Sequence, residues 1–211
     1  MNKFQALMDV ATRLNGPEGC PWDHTQTFLS LQPYVLEEAY EVIEAVDAND
    51  DEKIVEELGD LLYTVVFYAK IAEKEGKFTI DEILDCVREK LIRRHPHVFT
   101  DLEIEHVDEI MEQWEKIKKE EKGKEERHSV LDGIPKNLPT LFKAQKVLRK
   151  MRRAEFDGLS KFSNEGLTEE SVGKEMLDLV LRAEDAGIDA ESALRRMLSK
   201  LEEEFRSQEA L

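Results

Sequence analysis

Apolar residues return every three or four positions through most of this chain, and glycine and proline fall mainly where that rhythm stops. No stretch alternates apolar and polar residues with the period of two that marks a strand. Phe4, Leu7, Met8, Ala11 and Leu14 predict a first amphipathic helix over 4–14. Two glycines and two prolines within 16–21 predict a loop over 16–23. Further helices are expected over 30–47, 51–75, 80–94 and 107–122, with a turn at Asn49-Asp50-Asp51 and a stop before His95-Pro96, because the residue before proline avoids helical angles. A charged connector over 120–127 leads to helices at 135–153, 169–185 and 189–209. The fold class expected is all-α.

Composition narrows what such helices can do. With 30 Lys and Arg against 47 Asp and Glu, the formal net charge is −17. That balance argues against general attraction to nucleic acid or an acidic membrane, which rests on clustered cations. No apolar run approaches the ~20 residues needed to cross a bilayer. The N-terminal residues show helical spacing without the cleavage site of a secretory signal. Cys20 and Cys86 are too few for a disulfide framework and fit a reducing cytosol, where both are expected as small buried side chains.

Within this acidic background five carboxylates stand out. Val35, Leu36, Ala39, Val42, Ile43 and Val46 fill one arc of the 30–47 helix; Glu38 falls roughly 40° outside it and Glu41 roughly another 60° beyond, with Glu37 beside them. On the 51–75 helix Ile54, Leu58, Leu61, Leu62 and Val65 define the matching arc, and Glu57 and Asp60 flank it with the same rotational sense. A short turn at Asn49 makes the two helices antiparallel neighbours, which brings flanks of equal sense onto one side. Glu38, Glu41, Glu57 and Asp60 are therefore expected along one edge of a helical hairpin. Carboxylates held that close repel, and a hard divalent cation removes the cost; oxygen-only ligands suit Mg²⁺ or Mn²⁺. Zinc is disfavoured without a Cys/His cluster, and a di-iron site would need Glu-x-x-His where this chain has Glu38-x-x-Glu41 and Glu57-x-x-Asp60. The bland alternative is a solvated acidic face.

Positive residues are sparse enough to need a reason. Lys90 and Arg94, with Arg93 beside them, sit one turn apart, as do Trp114 and Lys118, and Lys53 precedes Glu57 by four. An aromatic ring with a cation one turn away suits a nucleobase beside a phosphate. Each also has an ordinary role available: ion-pair partner for Lys53 and Lys118, core for Trp114. His95 and His97 read as shaping a turn rather than as ligands.

Gly19-Cys-Pro-Trp-Asp23, Leu36-Glu-Glu-Ala-Tyr-Glu41, Glu57-Leu-Gly-Asp60-Leu-Leu62 and Arg93-Arg-His-Pro-His-Val-Phe99 together resemble the MazG family of nucleoside triphosphate pyrophosphohydrolases over residues 1–122. The resemblance implies a four-helix core related to the all-α dUTP pyrophosphatases, usually completed by dimerisation, and Mg²⁺-dependent cleavage of nucleoside triphosphates to monophosphate and pyrophosphate. It further implies Glu38, Glu41, Glu57 and Asp60 as metal ligands. For polarising the attacking water Glu38 is our own first choice, with Glu37 or Glu41 left open. Lys53, Lys90, Arg94, Trp114 and Lys118 are similar to family residues that hold triphosphate and base. The expected product is a cytoplasmic homodimer or higher homo-oligomer.

Residues 123–211 read as a degenerate second repeat. Glu175-Met-Leu-Asp178-Leu-Val echoes Glu57-Leu-Gly-Asp60-Leu-Leu, but Glu169-Glu170 is followed by Gly173 where a third acid belongs, Glu204 answers Arg94, and no tryptophan follows. The second repeat is expected to be catalytically silent. Two other readings remain open at this point: an acidic helical module that binds a protein partner, and a pyrophosphatase narrowed to dUTP or dCTP.

Overall fold

The computed structural model describes the chain except for residues 1, 101, 103, 105, 107, 108, 111, 112, 115, 118–120, 122–127, 160–164, 210 and 211. Every regular element among the described residues is a helix: α1 (Lys3–Asn15), α2 (Pro21–Thr25), α3 (Gln32–Asp47), α4 (Asp51–Lys74), α5 (Ile80–Arg94), α6 (Pro96–Phe99), α7 (Thr140–Arg153), α8 (Glu169–Asp185) and α9 (Ala190–Glu209). The all-α expectation holds. The chain divides into two compact units, Met1–Lys118 and Lys119–Leu211.

Local chemistry sets the ends of these helices. The Asn2 side chain accepts a hydrogen bond from the Phe4 amide, and Asp50 accepts one from the Lys53 amide. Thr79 and Glu82 exchange side-chain and backbone hydrogen bonds in a capping box at the start of α5. Between α3 and α4, Asn49 turns the chain at φ 53°, a left-handed conformation that asparagine tolerates better than most residues. Three residues thus reverse the chain, and α3 and α4 pack as an antiparallel hairpin.

The spine of the first unit is α4. On one side Val66 and Ala69 pack with Met8 and Ala11 of α1 and Ile80 of α5; on another Phe67 and Ile71 pack with Leu31, bordered by Phe28, Tyr63 and Tyr68. The Tyr68 hydroxyl donates to the Phe28 carbonyl at 3.1 Å, fastening the segment before α3 to this spine.

In the second unit α7 and α9 share a separate core of Leu131, Ala144, Val147, Met151, Phe156, Leu198 and Phe205. Lys143 pairs with Glu202 and Arg206 with Asp132, each at 2.8 Å. Burial alone would raise the Asp132 carboxyl, but hydrogen bonds from Arg206 and from the Ser129 and His128 amides hold it below the ordinary value. α8 contributes no buried residue.

Four differences from the sequence reading have local causes. α2 lies inside the expected 16–23 loop and runs past it: Pro21 stands at a first-turn position, where its missing N–H costs nothing. α7 starts at Thr140 rather than 135, since Pro139 immediately precedes it. Cys86 is exposed and Cys20 half-buried, because Cys86 falls on a side of α5 left open among the described residues. The arcs read as core on α3 and α4 are only partly covered: Leu36, Ile43, Val46, Leu58, Leu62 and Val65 remain exposed in the single chain. Of the segment expected as a helix over 107–122, residues 109, 110, 113, 114, 116 and 117 are described and helical. No helix of the described residues is long and apolar enough to cross a membrane.

Candidate metal and nucleotide site

The hairpin brings three of the expected acids together. One carboxylate oxygen from each of Glu38, Glu41 and Glu57 can be chosen so that all lie within 4.8 Å of one another. Glu38 and Glu41 are half-buried on α3, and Glu57 on α4 is buried, 8% exposed. Asp60 is exposed and stands outside that group, yet its charge is the nearest in effect on Glu38. Its carbonyl accepts the Thr64 hydroxyl at 2.9 Å. Glu37 is exposed, and its charge acts on Glu38 more weakly than those of Asp60, Glu41 and Glu57.

Burial and crowding shift the titration of Glu38 and Glu57. Burial pushes the Glu38 carboxyl above the ordinary value, and the negative charges of Asp60, Glu41, Glu57 and Glu37 push it further. Glu57 is raised as well, by burial first and then by Glu41, Glu56 and Asp60, with the Lys53 ammonium pulling the other way. Three carboxylate oxygen donors converging from two helices fit a hard divalent cation such as Mg²⁺ or Mn²⁺. No nitrogen or sulfur donor joins them among the described residues.

The expected cations take different places. Lys53 is half-buried one turn before Glu57 on α4, and its amide is used by the Asp50 cap. Lys90 and Arg94 are half-buried on α5, and the Arg94 guanidinium lies over the Trp114 ring at 5.1 Å, so Trp114 faces a cation rather than an apolar core. Lys118 lies outside the described residues. His95 Nδ1 contacts the Leu91 carbonyl at 2.7 Å, and the His95 and His97 rings meet at a 58° tilt, centroids 5.7 Å apart, at the α5–α6 corner. In the second unit Glu175 and Asp178 are both exposed on α8.

The sequence reading assigned no role to Trp22, Asp23 or Tyr34. Asp23 is buried, and its Oδ2 has no hydrogen-bond partner among the described residues. Trp22 meets Tyr34 edge-on at 5.8 Å and Phe67 at 6.1 Å. The available signal was spacing: Tyr34 stands four before Glu38 and seven before Glu41, on the stripe that carries the acids.

Comparison with known proteins bears on the chain's family. Residues 26–99, which span α3, α4, α5 and the α5–α6 corner, match the profile described as the MazG nucleotide pyrophosphohydrolase domain. A protein of Escherichia coli K12 named nucleoside triphosphate pyrophosphohydrolase is 41% identical over 206 residues, 97% of this chain and 74% of that protein. A Thermotoga maritima protein named nucleoside triphosphate pyrophosphohydrolase/pyrophosphatase MazG is 38% identical over 224 residues, covering 99% of this chain and 86% of its own length. Among solved structures, a MazG-related protein from Thermotoga maritima superposes with a TM-score of 0.49 at 29% identity, over 55% of this chain and 98% of the other.

Proposed function

The chain belongs to the MazG nucleotide pyrophosphohydrolase family, and from that premise we propose that it hydrolyses nucleoside triphosphates to monophosphate and pyrophosphate at the acidic edge of the α3–α4 hairpin. The observation that carries the site is the convergence of Glu38, Glu41 and Glu57 within 4.8 Å.

Glu38, Glu41 and Glu57 would hold a divalent cation, with Asp60 at the exposed rim. A bound Mg²⁺ or Mn²⁺ neutralises charge on phosphate oxygens and lowers the pKa of water. Water attacks the α-phosphorus: a new P–O bond forms, the bond to the bridging α–β oxygen breaks, and pyrophosphate leaves. Glu38 is the carboxylate we assign to receiving the water's proton, ahead of Glu37 and Glu41. It stands where burial and four neighbouring acids raise its affinity for that proton. Lys53, Lys90, Arg94 and Lys118 hold the triphosphate, and Trp114 takes the base, as the family resemblance implies. A substrate with several negative charges must approach a chain of net charge −17, so these local cations carry the attraction.

The working form is a homodimer. Leu36, Tyr40, Ile43 and Val46 make one exposed apolar stripe on α3, and Val55, Leu58, Leu62 and Val65 make another on α4, with Leu36 62% and Val55 73% exposed. Stripes of that extent on adjacent helices are covered in a stable protein, and a second copy supplies a matching surface. The free thiols of Cys20 and Cys86 suit a cytoplasmic setting. Residues 123–211 serve folding or assembly, not catalysis.

A panel of ribo- and deoxynucleoside triphosphates incubated with Mg²⁺ and assayed for pyrophosphate tests the reading. Cleavage of many supports a broad pyrophosphohydrolase, cleavage of dUTP or dCTP alone a specialist. Cleavage of none would leave an acidic helical module that binds a protein partner.

A further inference from the structure

We propose that the exposed face of α7 binds single-stranded nucleic acid, a role for the second unit that is separate from catalysis. The net charge of the chain is unevenly shared. Met1–Lys118 carries 12 Lys and Arg against 27 Asp and Glu, whereas Lys119–Leu211 carries 18 against 20. The excess of acid that discourages polyanions thus belongs to the first unit. Within the second unit the cations are concentrated, and seven Lys and Arg with no acid stand between Asp132 and Glu155.

The helix sorts these cations. Thr140, Ala144, Val147 and Met151 are buried and fix the inner face of α7. At ~100° per residue, Phe142, Lys146, Arg149 and Arg153 fall within an arc of roughly 60° on the opposite side, and all four are exposed. Arg152, also exposed, adjoins the arc. Lys143 and Lys150 are half-buried and engaged within the unit, with Glu202 and with the Val130 carbonyl. Among the described residues no carboxylate pairs with Lys146, Arg149 or Arg152.

A merely solvated helix face has no use for this pattern. Like charges three and four apart, as in Lys146–Arg149 and Arg149–Arg153, weaken a helix. The helix dipole favours cations over the last turn, which accounts for Lys150, Arg152 and Arg153 but not for Lys146 or Arg149. The neighbouring α9 mixes its signs: Arg195, Arg196 and Lys200 are followed by Glu202, Glu203 and Glu204.

Shape and chemistry select the partner. From Phe142 to Arg153 the stripe is ~17 Å long, and a strand rising ~3.4 Å per nucleotide sets a run of phosphates along it. Phe142 is 52% exposed, with the Lys146 ammonium 5.7 Å from its ring centre. A flat ring for a base beside cations for phosphates is how single strands are held without regard to sequence. An anionic membrane is a poorer match, because the apolar face of α7 is occupied by its own core. An acidic peptide would engage the cations and leave the ring idle.

The test is the anisotropy of a fluorescein-labelled oligouridylate titrated with the full chain. Binding should weaken about 20- to 50-fold between 50 and 200 mM salt, the loss expected when three or four phosphates of a single strand are neutralised. Lys146→Glu combined with Arg149→Glu should weaken binding more than tenfold. Arg195→Glu combined with Arg196→Glu on α9, an equal change of net charge, should weaken it less than twofold. Phe142→Ala should cost about fivefold or more and leave the salt dependence intact. Pyrophosphate release from nucleoside triphosphates should be unchanged in every variant. Should the charge reversals impair folding, Lys146→Gln combined with Arg149→Gln carries the same comparison. The proposal is overturned by absence of binding at 50 mM salt, by equal losses from the α7 and α9 reversals, or by equally tight binding of duplex. Tighter binding of polyglutamate or of phosphatidylserine vesicles than of the oligouridylate would overturn it too, in favour of an acidic protein or a membrane.

Discussion

Glu57 and Asp60 in the first unit and Glu175 and Asp178 in the second occupy the same two positions of a Glu-x-x-Asp repeat, each pair on one helix. Around the first pair α4 is packed by α1, α3 and α5, Glu57 is buried, and Glu38 and Glu41 face it from α3. Around the second pair α8 buries nothing: Leu177 is 70% exposed, and Glu175 and Asp178 stand in solvent. What the first unit adds to the doublet is a second helix that delivers more acids to the same edge and packing that covers Glu57. The echo in sequence keeps the letters and loses the neighbour.

The comparison is broken most directly by removing one acid from each unit. Glu57→Gln should lower kcat for pyrophosphate release by more than a hundredfold, by analogy with the loss of other charge-stabilising groups, whereas Glu175→Gln should leave it unchanged. Equal losses would mean the second unit takes part in the chemistry. Chelation of divalent ions should abolish turnover. Calorimetry should then find Mg²⁺ or Mn²⁺ uptake by the unaltered chain and by Asp178→Asn, but not by Glu38→Gln.

Stability sharpens the division next. Met151 is fully buried in the second core, and truncation to Ala should cost about 2–5 kcal/mol, read as an earlier thermal transition of that unit. Activity at temperatures below the transition should persist if the acids of the first unit act alone. A smaller effect follows from titration. The folded carboxyls of Glu38 and Glu57 are raised above the ordinary value of 4.5, so just above that pH the folded chain binds more protons than the unfolded one. Without metal, stability therefore falls as pH rises from about 4.5, and the penalty is complete once both groups are ionised. The rise in Tm on adding Mg²⁺ should accordingly be large near pH 8 and shrink toward pH 5, where protons compete for the same oxygens. Glu175→Gln should leave that dependence untouched. The smallest change is expected from Thr79→Ala, which removes the capping box of α5 at a cost of about 1 kcal/mol.

Much of the fold was legible because helices advertise themselves by period and by caps. The ends of α3, α4, α5, α8 and α9 fall within about two residues of the expected 30–47, 51–75, 80–94, 169–185 and 189–209. α2 was not legible, since a five-residue helix has no period to read. At the site, the helical wheel put Glu38, Glu41, Glu57 and Asp60 on one edge. It could not say that Glu57 is covered and Asp60 is not, because depth depends on how neighbouring helices lean. The apolar arcs of α3 and α4 show the same limit: a wheel marks a face as greasy without saying whether the cover comes from this chain. Trp22 and Tyr34 belong to different elements, and only packing brings their rings together.

The rod that bears the buried acid also anchors the core. Val66 and Ala69 lean on α1, Phe67 and Ile71 lean on Leu31, and about two and a half to four turns away the same helix presents Glu57 to its rivals. Mechanical slack introduced at the far end of α4 would be felt as a wider spacing of oxygens at the near end. For the cation proposed at these acids, affinity would thereby be leveraged on distant hydrocarbon contacts, and repacking that never touches a carboxylate would retune it.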